Sequence, residues 1–293
     1  MAVTRPSTFS PAQATGASRV LQWAAHDPLL MGLVAVALLL GTSAWLGVAP
    51  SGPLLVMGGA GTTLVYLADR VLGFAAEDVY NRPRRVRWVT RHRRYLWLET
   101  AVASALVGGT VALVRPETLV AAGGVAVAGV VHVVPLVPRA GRLKARWSAG
   151  KTGLVVFTWA AAAVVLPVVE ATGTLSVDAL ALGAYRVAFL LPNVIVADWL
   201  DRAGDASAGL RPWAAQWTPR RVMYSSGGSV MVGLALLAVL RPPLPVVVAE
   251  GGVLLLMGAM ARRACQRRGG PYAMLWLDVL VAGPALGYLL LQL

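Results

Sequence analysis

Cysteine, histidine, lysine and acid are all scarce in this chain. The one cysteine, Cys265, excludes an internal disulfide framework, and three histidines with no Cys/His cluster exclude a zinc-type site. His92 and His132 are read as packing or interfacial residues. Charged residues fill only 13% of the 293 positions, against 57% hydrophobic, and mean hydropathy is +0.68. A soluble domain of this size would show more charge on its surface, so the chain is placed mostly inside lipid. With 13 Asp and Glu against 26 Lys and Arg, the formal net charge is +13. That surplus needs no nucleic acid to explain it, because it is confined to one membrane face and no stacking-aromatic motif accompanies it.

A bilayer crossing takes about 20 apolar residues. Nine stretches meet that measure: 28–47, 53–72, 95–114, 117–137, 152–170, 177–197, 221–240, 243–261 and 272–291. The expectation is an all-α, polytopic membrane protein of nine transmembrane helices around a central lipid-accessible cavity. Residues 1–26 read as a polar cytoplasmic tail rather than a cleaved signal, and 27–293 as a single intramembrane domain. Arginine accumulates before span 1 and after spans 2, 4, 6 and 8, whereas the opposite connections offer only Arg115 and Arg241. The amino terminus is therefore expected in the cytoplasm and the carboxyl terminus outside, as for a bacterial inner-membrane protein.

The scarce acids are clustered. Asp198, Asp201 and Asp205 close the apolar run that ends at Ala197, and on a regular helix they fall at i, i+3 and i+7, all on one face. The connection after span 2 carries Asp69, Glu77 and Asp78. Carboxylates this close repel one another and are costly beside hydrocarbon, so a cation is expected among them. Two such clusters facing each other across a cavity can hold two magnesium ions that clamp a diphosphate. The plainer alternative is surface ion pairing with the neighbouring arginines, each pair contributing less than about 1 kcal/mol.

Lysine is informative because it is rare. The chain uses arginine 24 times and lysine twice, and both lysines, Lys144 and Lys151, fall in the connection after span 4. A compact ammonium suits a phosphate, which makes Lys151, Lys144 and Arg85 candidate diphosphate ligands, with topology alone as the alternative.

Asp198-x-x-Asp201-x-x-Gly204-Asp205-x-x-x-Gly209, Asp78-x-x-Asn81-x-Pro83-x-Arg85 and the nine-span layout resemble the UbiA-type intramembrane prenyltransferase superfamily, from about residue 28 onward. The stretch after span 4, with a Pro, Arg142-Leu-Lys144, a following Lys151 and an aromatic-containing span at Trp159, resembles it too. The resemblance implies that Asp78, Asp198, Asp201 and Asp205 hold Mg2+ and a prenyl diphosphate, with Asn81 and Arg85 beside them. It further implies ionisation to an allylic cation that a lipophilic acceptor attacks, in contact with membrane lipid. The first motif departs from the family pattern: Phe74 and Val71 stand four and seven residues before Asp78 where acids are usual, and Ala197 stands where an Asn commonly precedes the second motif. Asp69 and Glu77 are the candidate replacements as metal ligands. The altered motif keeps a terpene cyclase of the same superfamily as an alternative, in which the cation is quenched within its own chain. A transporter or non-catalytic scaffold is the second alternative, against which stands the lack of internal inverted symmetry.

Two charges lie deeper. Arg186 and Glu250 each sit 12 residues from a cytoplasmic marker, at about 18 Å and similar depth, and are expected to pair. Asp278 and Glu99 are expected either to line the cavity near the basic face or to pair with arginines. Gly283-x-x-x-Gly287, Gly123-Gly124 and Gly251-Gly252 are expected at close helix contacts, and the tryptophans near span ends at the membrane interfaces.

Overall fold

The computed structural model describes residues 21, 23–71, 76–133, 148–207, 213–267 and 273–293, and their regular structure is entirely helical. The helices are α1 Leu29–Leu46, α2 Gly52–Val71, α3 Ala76–Asn81, α4 Pro83–Arg91, α5 Arg93–Thr110, α6 Pro116–Val133 and α7 Ser148–Thr172. They continue as α8 Val177–Leu200, α9 Arg202–Ser207, α10 Pro219–Leu240, α11 Leu244–Arg267, α12 Ala273–Val281 and α13 Pro284–Leu291.

Local chemistry sets several boundaries. Ser176 caps α8 by accepting from the Ala179 amide at 3.2 Å, and Thr218 caps α10 from the Arg221 amide at 3.3 Å, with Pro219 in the first turn. Gly47, at φ 65°, ends α1 in the left-handed conformation that only glycine adopts freely. Helix α8 stops at Leu200 and the chain turns at Asp201 into α9. Asp198, Asp201 and Asp205 therefore do not ride on one continuous helix, which corrects the regular i, i+3, i+7 reading.

Packing runs from neighbour to neighbour through α2, α6, α7, α8, α10, α11 and α13, and returns through α1, which touches both α13 and α2; α5 lies against α2. Of the Val177–Leu200 span, 61% is buried inside the protein, against 17% of Arg93–Leu113, so α8 is central and α5 peripheral. Leucine and valine cover much of the outward face, as a lipid solvent requires.

Among the described residues, six helices are long and apolar enough to cross a membrane: α1, α5, α7, α8, α10 and α11. A seventh follows if α12 and α13, bent by 42° at Ala282–Gly283, form one broken span. The expected spans 2 and 4 are helices, but α2 is diluted by glycine, threonine, Asp69 and Arg70, and the apolar part of α6 is short. Nine crossings is thus more than length and composition alone support.

Arg186 and Glu250 do pair. Arg186 Nη1 and Nη2 donate to Glu250 Oε2 and Oε1 at 2.6 and 2.9 Å, Tyr185 Oη donates to Oε2 at 2.6 Å, and both charged side chains are wholly buried. Trp45, Tyr185 and Phe189 surround the guanidinium within 5.8 Å. This cluster and the core about Tyr185 and Phe189 fill the space between α1, α8 and α11.

A cavity of about 310 Å³ lies among α1, α2, α5, α6 and α7. Gly283 and Gly287 serve close packing as expected: a Cβ at either would press on Val253 or on the Val246 backbone of α11. Gly123 and Gly124 do not, since a Cβ there would meet nothing within 4 Å.

Candidate functional site

The two acidic motifs meet through the short helices α3 and α9. Asn81, the last residue of α3, accepts a hydrogen bond from the Gly204 amide at 2.8 Å. A Cβ on Gly204 would run into the Asn81 amide, so the glycine is what lets the two helices approach. One residue on, Arg82 Nη2 spans both oxygens of Asp201, at 3.1 and 3.0 Å. Burial disfavours the Arg82 charge, but the Asp201 carboxylate, together with Asp278 and Asp78, outweighs it and raises the pKa above the usual arginine value. Arg85 Nη2 donates to Asp78 Oδ1.

Deeper in the bundle, Asp198 accepts a hydrogen bond from the Thr152 hydroxyl of α7, and both side chains are buried. Asp205 is buried as well. From α12, Asp278 accepts from Asn193 Nδ2 at 3.3 Å and lies within electrostatic reach of Arg82, Arg70 and Arg85. Glu99 lies beside Asp27, whose carboxylate also accepts from the Tyr95 hydroxyl at 2.9 Å.

Asp78, Asn81, Arg85 and Asp205 are thereby brought to adjoining helices, α3, α4 and α9, with Asp201 at the turn between α8 and α9 and Asp198 at the end of α8. Asp69 stands apart from that contact, on the wall of a chamber of about 120 Å³. Lys144 lies outside the described residues, and only the backbones of Glu77 and Lys151 are described. Among the described residues, no three Asp, Glu, His or Cys side chains form a ready-made metal cage. The reason is visible in the pairing: Asp78 and Asp201 face guanidinium groups and Asp198 faces a hydroxyl. The residues nevertheless fit magnesium, because carboxylate and amide oxygens are its preferred donors and two of these carboxylates already hold a cation.

Sequence reasoning counted Arg82 only as a topology signal and missed Thr152 and Asn193. The place of Arg82 between Asn81 and Pro83 was the available signal; nothing in spacing alone marks Thr152 or Asn193.

The Asp69 chamber adjoins the larger cavity. Val65, Tyr66, Gly129, Thr158 and Trp159 line both, and the Tyr66 and Trp159 rings, 6.3 Å apart and inclined by 61°, stand at the boundary, or neck, between them. Below the neck the walls are almost entirely aliphatic or glycine, down to Met57, Leu119 and Leu166. A mostly apolar chamber bearing one carboxylate, next to an apolar cavity, suits a largely hydrocarbon ligand.

No protein-family model matches this sequence, and no curated protein matches it. Solved structures do match in fold. A UbiA homologue from Archaeoglobus fulgidus bound to Cd2+ superposes with a TM-score of 0.57 at 16% identity, over 93% of this chain and all of that one. The Archaeoglobus fulgidus UbiA homologue bound to GPP and Mg2+ gives 0.54 at 17% identity, over 93% and 100%. A digeranylgeranylglyceryl phosphate synthase gives 0.54 at 11% identity, over 92% and 95%. The chain has the UbiA-type fold.

Proposed function

We propose that this chain is an integral membrane enzyme of the UbiA-type superfamily that ionises a prenyl diphosphate and transfers the prenyl group to an apolar or aromatic acceptor. The observation that carries the reading is the junction of Asn81-Arg82 with Asp201-x-x-Gly204, which draws both acidic stretches to one end of a bundle with an apolar cavity. Support also comes from solved structures of the same fold bound to GPP and Mg2+ and to DMAPP and Mg2+. The nine-span layout, with the site at the cytoplasmic face, the amino terminus inside and the carboxyl terminus outside, belongs to the same reading, as does a bacterial inner membrane.

In this proposal Asp78, Asp198, Asp201 and Asp205, with Asp69 and Glu77, would hold magnesium, which when bound would supply charge to stabilise the leaving diphosphate. Arg82 and Arg85 exchange a carboxylate for a phosphate, for which their planar donors are equally suited. Lys151 and Lys144 are proposed to add compact positive charge to the diphosphate. As the carbon–oxygen bond breaks, the diphosphate stays with these cations and the allylic cation faces Tyr66 and Trp159. Their π faces stabilise it, and the aliphatic walls keep water away. Attack by the acceptor forms the new bond and releases a proton.

A second reading is favoured by one observation. The usual acids four and seven residues before Asp78 are missing, with Phe74 and Val71 in their places, which suits a terpene cyclase that quenches the cation within its own chain. Incubating the purified protein with prenyl diphosphates and magnesium, without and then with quinone or phenolic acceptors, decides between the two. Prenylated acceptor supports the transferase, and cyclised hydrocarbon or alcohol without acceptor supports the cyclase. No consumption of any prenyl diphosphate leaves a transporter or scaffold.

A further inference from the structure

The cavity below the neck has a definite depth, and two glycines stand halfway down it. Along α2 the lining runs from Tyr66 at the neck to Met57 at the floor, nine residues and therefore about 14 Å. Gly61 on α2 lies five residues from Tyr66, and Gly123 on α6 lies six from Gly129, so the two sit at similar depth on facing walls. A Cβ built on either meets nothing within 4 Å. These glycines are not required by helix packing. Each leaves open the space that a side chain would occupy.

From this we infer that Gly61 and Gly123 set the chain length of the donor, and that the cavity holds a tail of two isoprene units, on the order of ten carbons. The volume argument is direct: an apolar cavity of about 150 Å³ takes one benzene ring, and this one, at about 310 Å³, is twice that size. Met57 and Leu166, both buried, lie at the far end. A five-carbon tail fills only about half of this volume, and a twenty-carbon tail exceeds it. The inference rests on the prenyl diphosphate reading and adds the tail class and the residues that select it.

The test compares dimethylallyl, geranyl, farnesyl and geranylgeranyl diphosphates, by consumption and by thermal stabilisation of the protein, in the wild type and in Gly61→Leu, Gly123→Leu and Met57→Ala. Wild type favours the ten-carbon donor. Since a misfit of a single methylene discriminates by about tenfold or more, each glycine variant raises the five-carbon to ten-carbon ratio at least about tenfold. Met57→Ala moves the preference toward fifteen carbons. Gly124→Leu is the control for added bulk in the same helix, because Gly124 is also free of neighbours but does not line the cavity; it leaves the ratios as in wild type. A twenty-carbon preference in wild type, or unchanged ratios in both glycine variants, overturns the inference while the functional reading stands. Absence of both consumption and stabilisation with every donor overturns the functional reading, and the inference with it.

Discussion

Asn81 and Gly204 lie 123 positions apart in the chain, and the side-chain oxygen of one accepts the backbone amide of the other at 2.8 Å. That bond and the neighbouring Arg82–Asp201 pair join the two acidic stretches. Because the Gly204 Cα faces the Asn81 amide directly, Gly204→Ala overpacks the junction and costs about 1–3 kcal/mol. The expected outcome is a lower thermal midpoint in detergent together with loss of turnover. Pairing it with Asn81→Ala removes the clash and restores most of the midpoint but not the turnover, whereas an unchanged midpoint in Gly204→Ala alone would show the contact to be looser than described.

Asp201 and Arg82 form a part-exposed pair, so its direct contribution to stability is small, about 0–1 kcal/mol. Asp201→Asn is therefore expected to leave the unfolding midpoint nearly unchanged while abolishing turnover and weakening magnesium binding. Titration with Mn2+ followed by electron paramagnetic resonance measures the metal directly, and equal affinity in wild type and Asp201→Asn would remove Asp201 from the metal site.

The pair formed by Arg186 and Glu250 behaves in the opposite way. Both charges are wholly buried, and losing one partner strands the other. Glu250→Ala is expected to destabilise the protein by about 3–5 kcal/mol. Reversing both charges, Arg186→Glu with Glu250→Arg, recovers part of that loss. Recovery stays incomplete because the Tyr185 hydroxyl and the rings of Trp45, Tyr185 and Phe189 are arranged for a guanidinium on α8. Thermal unfolding of the two single variants and the reversal gives the coupling.

Much of this architecture was legible in the residues, for physical reasons that can be named. Long apolar runs have few alternatives to helix, so the boundaries of α1, α8, α10 and α11 lie close to their expected spans. Arg186 and Glu250 were paired from depth alone, since a lone charge in lipid has nowhere to go. The acids were legible as a cluster because carboxylates are so rare here. Their geometry was not: the chain breaks at Asp201, and Arg82 and Arg85 answer Asp201 and Asp78, neither of which follows from helical spacing. Position within the ring was also hidden. Gly123 reads the same in sequence whether it meets another helix, as Gly287 does, or borders an open cavity.

His26 gives the fold a pH dependence whose sign is fixed by burial. Packing of this segment, where Trp23 stacks against Trp88, His92 and Tyr95 and the His26 carbonyl accepts from Arg70, withdraws the imidazole from water. Burial first, then the charges of Arg70, Arg85 and Arg82, lower its pKa from 6.5 to about 4. The imidazole is therefore neutral in the folded protein where the unfolded chain already binds a proton. Between those two values the unfolded state takes up more protons, so its contribution to stability is full above pH 6.5 and is lost as the pH falls toward 4. Part of the imidazole still meets solvent, which keeps the effect below the full value of the shift. Unfolding midpoints recorded from pH 7 to pH 4 are expected to fall more steeply in the wild type than in His26→Gln, which has no proton to gain. Parallel curves for the two proteins would mean that His26 titrates alike in both states and that the segment does not shield it.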